Sequence, residues 1–331
     1  TAESCDGNVT GERQWSNGNV SVGATVANLA VVPLDGLGRF CLYNSSPMHM
    51  IVDVQGFFMP SRLADSKATK FTPFSPSRVL DTRKVGGKVA ASALKEVAVN
   101  GVLKDAVAIL TNLTVTGTSS EGYLSGDSCT KLSSHGPDSS NLNFSSQDTV
   151  ANLAVVNLGQ MSQGVGFCTW ANQELHQIVD IQGVFTPGTS GMWGFNLEPQ
   201  RRLVDTRKCV TDCAEVFRPG AMIKLKAPAG ASAVLVNLTL TDAANSSFVI
   251  ADRCSTLTPS TETPSNANVA VGRVAANLAV VPVDKDGSFC VYTSSATRVI
   301  VDIQGTFSPS ADLRFIPVSS VRRFDSRKLA N

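Results

Sequence analysis

Histidine is almost missing from this sequence: His49, His135 and His176 are the three in 331 residues. His49 and His176 fall at one repeat position, where the third copy has Arg298. That exchange fits a cationic strand end and not a metal ligand or general base. No HExxH and no phosphate-cradling GxxxxGK[ST] occurs. The residues call for no metal, no cofactor and no catalytic group. Charge is sparse too: Asp, Glu, Lys and Arg make up 17%, with a formal net charge of +1. No basic surplus points to nucleic acid and no acidic surplus to a solvating tail. No apolar run approaches the roughly 18 residues of a membrane span, so no membrane insertion is expected. No basic, apolar, small-residue leader opens the chain, which a mature exported protein also lacks. Aromatics are 6%, with Trp15, Trp170 and Trp193 the tryptophans.

What the chain does have is repetition. Val26–Val32 (VANLAVV) returns as Val150–Val156 (VANLAVV) and Ala275–Val281 (AANLAVV). Each copy is followed by Phe-Cys (Cys41, Cys168, Cys290) and then by Ile-Val-Asp-x-Gln-Gly, starting at Ile51, Ile178 and Ile300. Like positions recur every 122–127 residues (Asn28, Asn152, Asn277; Asp53, Asp180, Asp302). That exceeds the period of a solenoid repeat and suits a small domain.

Within one period the middle copy reads as about eight strands, from Arg78–Arg83 to Gln177–Phe185. They are rich in Val, Ile, Thr, Leu and Phe, and Gly, Ser, Asn, Asp and Pro separate them. No window sustains a capped helical period. Thr111–Val115 echoes Ala151–Val155, so the two halves of a module resemble each other. The expected fold is all-β: tandem antiparallel β-sandwich or flattened-barrel modules of about 120 residues, with a single closed propeller-like ring as the alternative. Residues 1–60 would be the C-terminal half of a first module, 71–186 a complete second, 195–308 a complete third, and 309–331 the first strand of a further module. That last strand then needs a partner. The chain falls about 35 residues short of three periods, which favours pairing in an assembly or longer array over closure within one chain.

The eight cysteines form three repeat-matched pairs, Cys5 with Cys41, Cys129 with Cys168 and Cys254 with Cys290, plus Cys209 and Cys213 in one loop. Structural zinc sites need closer spacing and four ligands. Disulfides are the better reading, and they imply an oxidising, extracytoplasmic location, secreted or at the cell surface.

Four polar signatures recur: Asp-Thr/Ser-Arg (Asp81 and Arg83, Asp205 and Arg207, Asp325 and Arg327); Asp and Gln of the Ile-Val-Asp-x-Gln-Gly strand (Asp53 and Gln55, Asp180 and Gln182, Asp302 and Gln304); Ser-Asn-x-Asn (Ser16, Ser140 and Ser265 onward); and the cassette asparagines Asn28, Asn152 and Asn277. Asp beside Ile on a strand face is costly to bury unless paired, and the nearest repeated cation is the arginine of Asp-Thr-Arg. A repeated structural Asp–Arg pair is the first reading, and a calcium site or polar sugar-binding edge the second. Calcium loops cluster their acids, and these are scattered. Gly126-Asp127-Ser128 resembles the start of a serine-esterase block, but Ala251-Asp252-Arg253 and Ala2-Glu3-Ser4 stand at the equivalent positions. Tyr43, Trp170 and Tyr292 align after the second cysteine of each pair. They are a possible glycan platform, or else aromatics packed on the disulfides. Of the Asn-x-Ser/Thr sequons (Asn8, Asn19, Asn44, Asn112, Asn143, Asn237, Asn245), Asn112 and Asn237 lie inside expected strands and read as structural.

The ordered set Leu-Asp-Thr-Arg, Asn-Leu-Thr-Val, Ser-Asn-Leu-Asn-Phe, Val-Ala-Asn-Leu-Ala-Val-Val, Phe-Cys-x-Tyr/Trp and Ile-Val-Asp-Ile-Gln-Gly-x-Phe resembles the repeat modules of secreted and cell-wall-associated actinobacterial proteins. The resemblance covers nearly the whole chain. It implies export and an ancillary or surface role, and it carries over no binding residues. The expected function is a non-catalytic extracellular repeat protein with a structural, adhesive or spacer role, partnered by copies of itself or further repeats. The rivals are a module binding glycan or cell-wall polysaccharide and a hydrolase with a dispersed site.

Overall fold

The computed structural model describes residues 1–6, 16–99, 101, 105–132, 136–137, 139–161, 164–188, 191–208, 217–259 and 264–328. Among them it is all-β, with antiparallel sheets and short 3-10 turns. The first module holds β1 (Ala2–Ser4), β2 (Phe40–Leu42) and β3 (Ile51–Pro60). The second runs through β4 (Thr69–Asp81), β5 (Leu94–Ala98), β6 (Ala108–Thr116), β7 (Gly122–Asp127), β8 (Leu142–Phe144), β9 (Val150–Asn157), β10 (Gly159–Met161), β11 (Gly164–Ala171) and β12 (His176–Pro187). The third comprises β13 (Gly194–Asp205), β14 (Met222–Lys226), β15 (Ala233–Thr241), β16 (Ser247–Asp252), β17 (Ala267–Val269), β18 (Ala275–Pro282), β19 (Ser288–Thr293) and β20 (Arg298–Ser308), and β21 (Leu313–Asp325) follows.

Modules two and three are sandwiches of the same plan. In the third, the long strands run β13-β20-β15-β18 and the short ones β14-β19-β16-β17. Between them lies a core that includes Ile223, Val236, Leu238, Val249, Phe289 and Val301. The second module repeats this with β4-β12-β6-β9 facing β5, β11, β7 and β8. The two sheets differ in burial for a physical reason. The outer β14 alternates exposed and buried residues through Met222–Lys226, as a strand with one face in water must. β15 is buried at every position from Ala233 to Leu240. Its Val234, Val236 and Leu238 enter the sandwich core, while Ala233 and Leu235 enter a central cluster shared by all three modules. Burial on both faces is why these strands carry apolar residues at adjacent positions, interrupted by the Asn and Thr of Asn-Leu-Thr.

The modules meet around a pseudo-threefold axis. The starts of β4, β13 and β21 pair with one another in a triangle: Phe71 with Trp193, Phe195 with Leu313, and Phe315 with Thr69. Inside it six phenyl rings form a closed cycle, Phe58–Phe195–Phe307–Phe71–Phe185–Phe315 and back to Phe58, with centroid separations of 4.3–5.1 Å. Half of these contacts cross from module to module. The glycine of each Ile-Val-Asp-x-Gln-Gly makes the room: a Cβ on Gly56, Gly183 or Gly305 would meet the ring of Phe315, Phe71 or Phe195.

Strand β21 corrects the expectation for the end of the chain. It pairs along its length with β3, from Leu313 opposite Pro60 to Asp325 opposite Ile51. The strand expected within 309–331 to open a further module is therefore paired, over Leu313–Asp325, inside the chain, and its partner is β3, not a neighbouring chain. Its Asp-Ser-Arg strand occupies in the first module the place that β4 and β13 occupy in theirs.

Two substitutions test the central cluster. Phe71→Ala should cost about 3–5 kcal/mol as a buried ring is lost. Gly305→Ala should cost about 1–3 kcal/mol by overpacking Phe195. Urea unfolding followed by circular dichroism measures both, and a near-neutral Gly305→Ala would contradict the packing described.

Candidate functional site

The repeated polar residues lie on the long strands and at the seams between modules. Asp53, Asp180 and Asp302 each sit directly opposite an arginine on the neighbouring strand: Arg322, Arg78 and Arg202. The pairs are bidentate, with Nε–O distances of 2.9, 2.8 and 2.8 Å and second contacts of 3.0–3.2 Å. One extra residue in each Asp-Thr/Ser-Arg strand (Val79, Leu203 and Arg323) shifts the register beside the pair and brings the two side chains into line. The partner is thus three residues before the aspartate of Asp-Thr/Ser-Arg and not the arginine of that motif. Arg83, Arg207 and Arg327 instead fold back onto Asp81, Asp205 and Asp325, two residues earlier, through Nε and Nη2. Spacing alone did not separate these two arginines. The signal available was the arginine at the third position before each motif aspartate.

The electrostatics follow from this division. Arg207 beside Asp205 holds that carboxyl down to about 2. Arg83 likewise lowers Asp81, and Arg327 lowers Asp325. Asp180 goes the other way: burial raises it, outweighing the opposing pull of Arg78. Asp127 and Asp252, at one repeat position, are also raised by burial, although Asn157 donates to the first and the Arg253 backbone N–H to the second.

Asparagines carry the next layer. Asn17, Asn141 and Asn266 each accept a backbone N–H on Oδ1, from Ala2, Gly126 and Ala251. Their carbonyls accept Nδ2 of Asn28, Asn152 and Asn277. Between modules, Asn112 donates to the Ser265 carbonyl and Asn237 to the Ser16 carbonyl. Both are fully buried, which leaves these two sequons no room for a glycan. Asn8 lies outside the described residues.

In the sequence the glutamines stand as companions of the aspartates; in the fold two of them bridge modules. Gln55 Oε1 accepts the Val155 N–H and Gln182 Oε1 the Val280 N–H, so each reaches the cassette strand of the next module. Their recurrence was visible, but which surface they faced depends on how modules pack.

Cys5–Cys41, Cys129–Cys168 and Cys254–Cys290 are disulfide-bonded. Cys209 and Cys213 lie outside the described residues. Trp170 is only 5% exposed and packs with Cys129, Cys168, Leu132 and Tyr123. It has no open face for a sugar, which corrects the platform reading at that position. Tyr292 packs in the same way beside Cys254, Cys290 and Phe248. Tyr43 is half-buried, its backbone exchanging two hydrogen bonds with Thr1. His49 and His176 contact Ser326 and Thr82, and Arg298 donates to the Thr206 carbonyl, one station filled three ways.

A shallow cleft of about 430 Å³ is lined by Ser61, Asp65, Ser66 and Arg314 among others. Among the described residues no group of three or more His, Cys, Asp or Glu side chains is placed to hold a metal ion, and no helix is long and apolar enough to cross a membrane.

No protein-family model and no curated protein matches the chain. Among solved structures it is similar to a Macrobrachium rosenbergii nodavirus structure, at TM-score 0.20 and 10% identity, covering 86% of this chain and 97% of that one. It is also similar to the N-terminal CBM22-1-CBM22-2 tandem domain of Xyn10C from Paenibacillus barcinonensis, at TM-score 0.16 and 10% identity, covering 80% and 99%. At those scores neither likeness carries an argument about fold or role.

Two outcomes follow from the charge pairs. Asp180→Ala should cost about 3–5 kcal/mol by stranding Arg78, as loss of one partner of a buried pair does. Arg83→Ala, at an exposed arginine, should cost less than about 1 kcal/mol. The second concerns acid. The lowered Asp81, Asp205 and Asp325 contribute stability that is complete above the ordinary 3.8 and is lost as pH falls through their folded values, for Asp205 toward about 2. Raised Asp180 opposes this, taking up its proton more readily in the folded chain. The Asp205→Asn variant should therefore show a flatter loss of urea midpoint below pH 4 than the parent, measured as a pH series.

Proposed function

We propose that this chain is a non-catalytic structural element of an exported protein, a spacer or adhesive scaffold at a cell surface. The observation that carries the reading is the fate of its repeated polar side chains. Most of these recurring groups are spent in the same internal bond from module to module: the three aspartates in an arginine clamp, the three cassette asparagines through Nδ2 on a carbonyl, and two of the three glutamines across a seam, Gln304 being the exception. A catalytic or sugar-binding group keeps an unspent donor or acceptor facing an open cleft. The disulfides support an oxidising compartment. The repeat motifs, in their resemblance to modules of secreted actinobacterial proteins, support the surface setting. Asp53, Asp180 and Asp302 hold the fold in this reading.

Mass spectrometry of unreduced protein purified from its native source should return the three cross-linked peptides. Each bond closes a loop of 36–39 residues, worth roughly 3–4 kcal/mol in the chain-entropy model. Free thiols there would remove the case for export. Titration with cell-wall polysaccharide, followed by tryptophan fluorescence and backed by a glycan array, should give no saturable signal. Saturation at micromolar sugar would replace the scaffold with a lectin.

A further inference from the structure

The three modules are alike in sequence but not in burial. β12 is buried from Gln177 to Thr186 and β20 from Val299 to Ser308, whereas no residue of β3 is buried. Ile51 is 39% exposed against 6% and 5% for Ile178 and Ile300, and Phe57 is 44% exposed where Val184 is sealed. The pairing explains the contrast. β12 lies between β4 and β6, and β20 between β13 and β15. β3 has β21 on one edge and, among the described residues, no strand on the other. The cassette Val26–Val32, identical to the start of β9, forms no strand.

Four buried polar atoms lack partners at the corresponding places: Asn28 Oδ1, Asn152 Oδ1, Asn237 Oδ1 and Gln304 Oε1. Their threefold mates are bonded. Asn277 Oδ1 accepts the Leu153 N–H, Asn112 Oδ1 accepts Asn277 Nδ2, and Gln182 Oε1 accepts the Val280 N–H. Carried round the axis, these bonds assign Leu29 N–H to Asn152, Asn28 Nδ2 to Asn237, and Val31 N–H to Gln304. Gln304 and Val31 instead line a cleft of about 250 Å³ with Leu197 and Pro33. Each orphan waits for Val26–Val32 to lie in its sheet, and that segment needs a strand to pair with. The same rotation leaves Asn152 Nδ2 and the Ser140 carbonyl facing an absent asparagine, the counterpart of Asn112 and Asn237.

We propose that the free edge of β3 and the Val26–Val32 segment form a docking site for one added β-strand of the β6 type, with an Asn-Leu-Thr core. Its asparagine would bond Asn152 and Ser140, and its aliphatic residues would cover Ile51 and Phe57. Among the described residues no strand is left to supply it, because both internal copies, around Asn112 and Asn237, are sealed in their own modules, so the occupant is an Asn-Leu-Thr strand added from outside the described residues. Main-chain pairing supplies the affinity of such β-augmentation, and side-chain pockets supply its register. The site is independent of the role proposed above.

The probe is a labelled synthetic peptide with the sequence of Ala106–Gly117 and lysines added at each end, titrated into the full chain. Saturable one-to-one binding is expected, with new hydrogen-exchange protection at Val26–Val32 and Ile51–Pro60 and a raised melting temperature. The peptide carrying Asn112→Ala should bind about tenfold more weakly, and a scrambled peptide should not bind. In the protein, Phe57→Asp alters an exposed side chain, so it should abolish binding and leave the unliganded melting temperature unchanged. No binding by the native-sequence peptide, equal binding by the Asn112→Ala peptide, or protection confined to other strands would overturn the proposal. Concentration-dependent dimerisation protecting the same edge without peptide would overturn it in favour of a second copy.

Discussion

Six phenylalanine rings in mutual contact, two from each module, are what the rest of the molecule leans on. Each module has its own disulfide and its own polar stations, but the outward faces of the long sheets are apolar, and a sandwich with two apolar faces needs neighbours. The ring gives each of the three sheets a shared interior. Aromatic pairs at these separations add about 0.5–1.5 kcal/mol each beyond their burial. The glycines, the triangle of strand starts and the Gln bridges all follow from bringing six rings within reach of one another.

Polar residues around that centre set register more than they add stability. A bidentate Arg78–Asp180 pair nearly out of water is no large net gain over an apolar pair. It penalises every register but one, since slippage by a residue would leave both charges buried and unpaired. Asn112, Asn237 and Asn277 act similarly between modules, where an apolar seam alone would let sandwiches slide.

The all-β class, the module length and three cysteine pairings were legible in the sequence because each rests on local or strictly periodic signals. The choice between Arg78 and Arg83 for Asp180 was not. Both recur in every copy, and only the strand register decides between them. The buried face of Trp170 was likewise open until the loop around Leu132 was placed beside the disulfide. Ala233–Thr241 was readable as a strand from its Val, Leu and Thr content, but not what covers both of its faces. The pairing of β21 with β3 lay furthest from reach, because two strands with matching motifs in an array have several compatible partners and the chain's path alone selects one.

That pairing also has a kinetic meaning. Opposed residues such as Asp53 and Arg322 are joined across almost the whole polypeptide, and the entropy of closing such a loop must be met before the contact repays it. During synthesis, β3 leaves the ribosome long before β21 exists. For that interval it is a strand with two open edges, beside Phe58, which has neither Phe315 nor Phe195 to stack on. The second and third modules can complete their own sandwiches as they emerge; the first cannot. Of the three modules the first is thus the last to become native, and any chaperone guarding them has its longest task there.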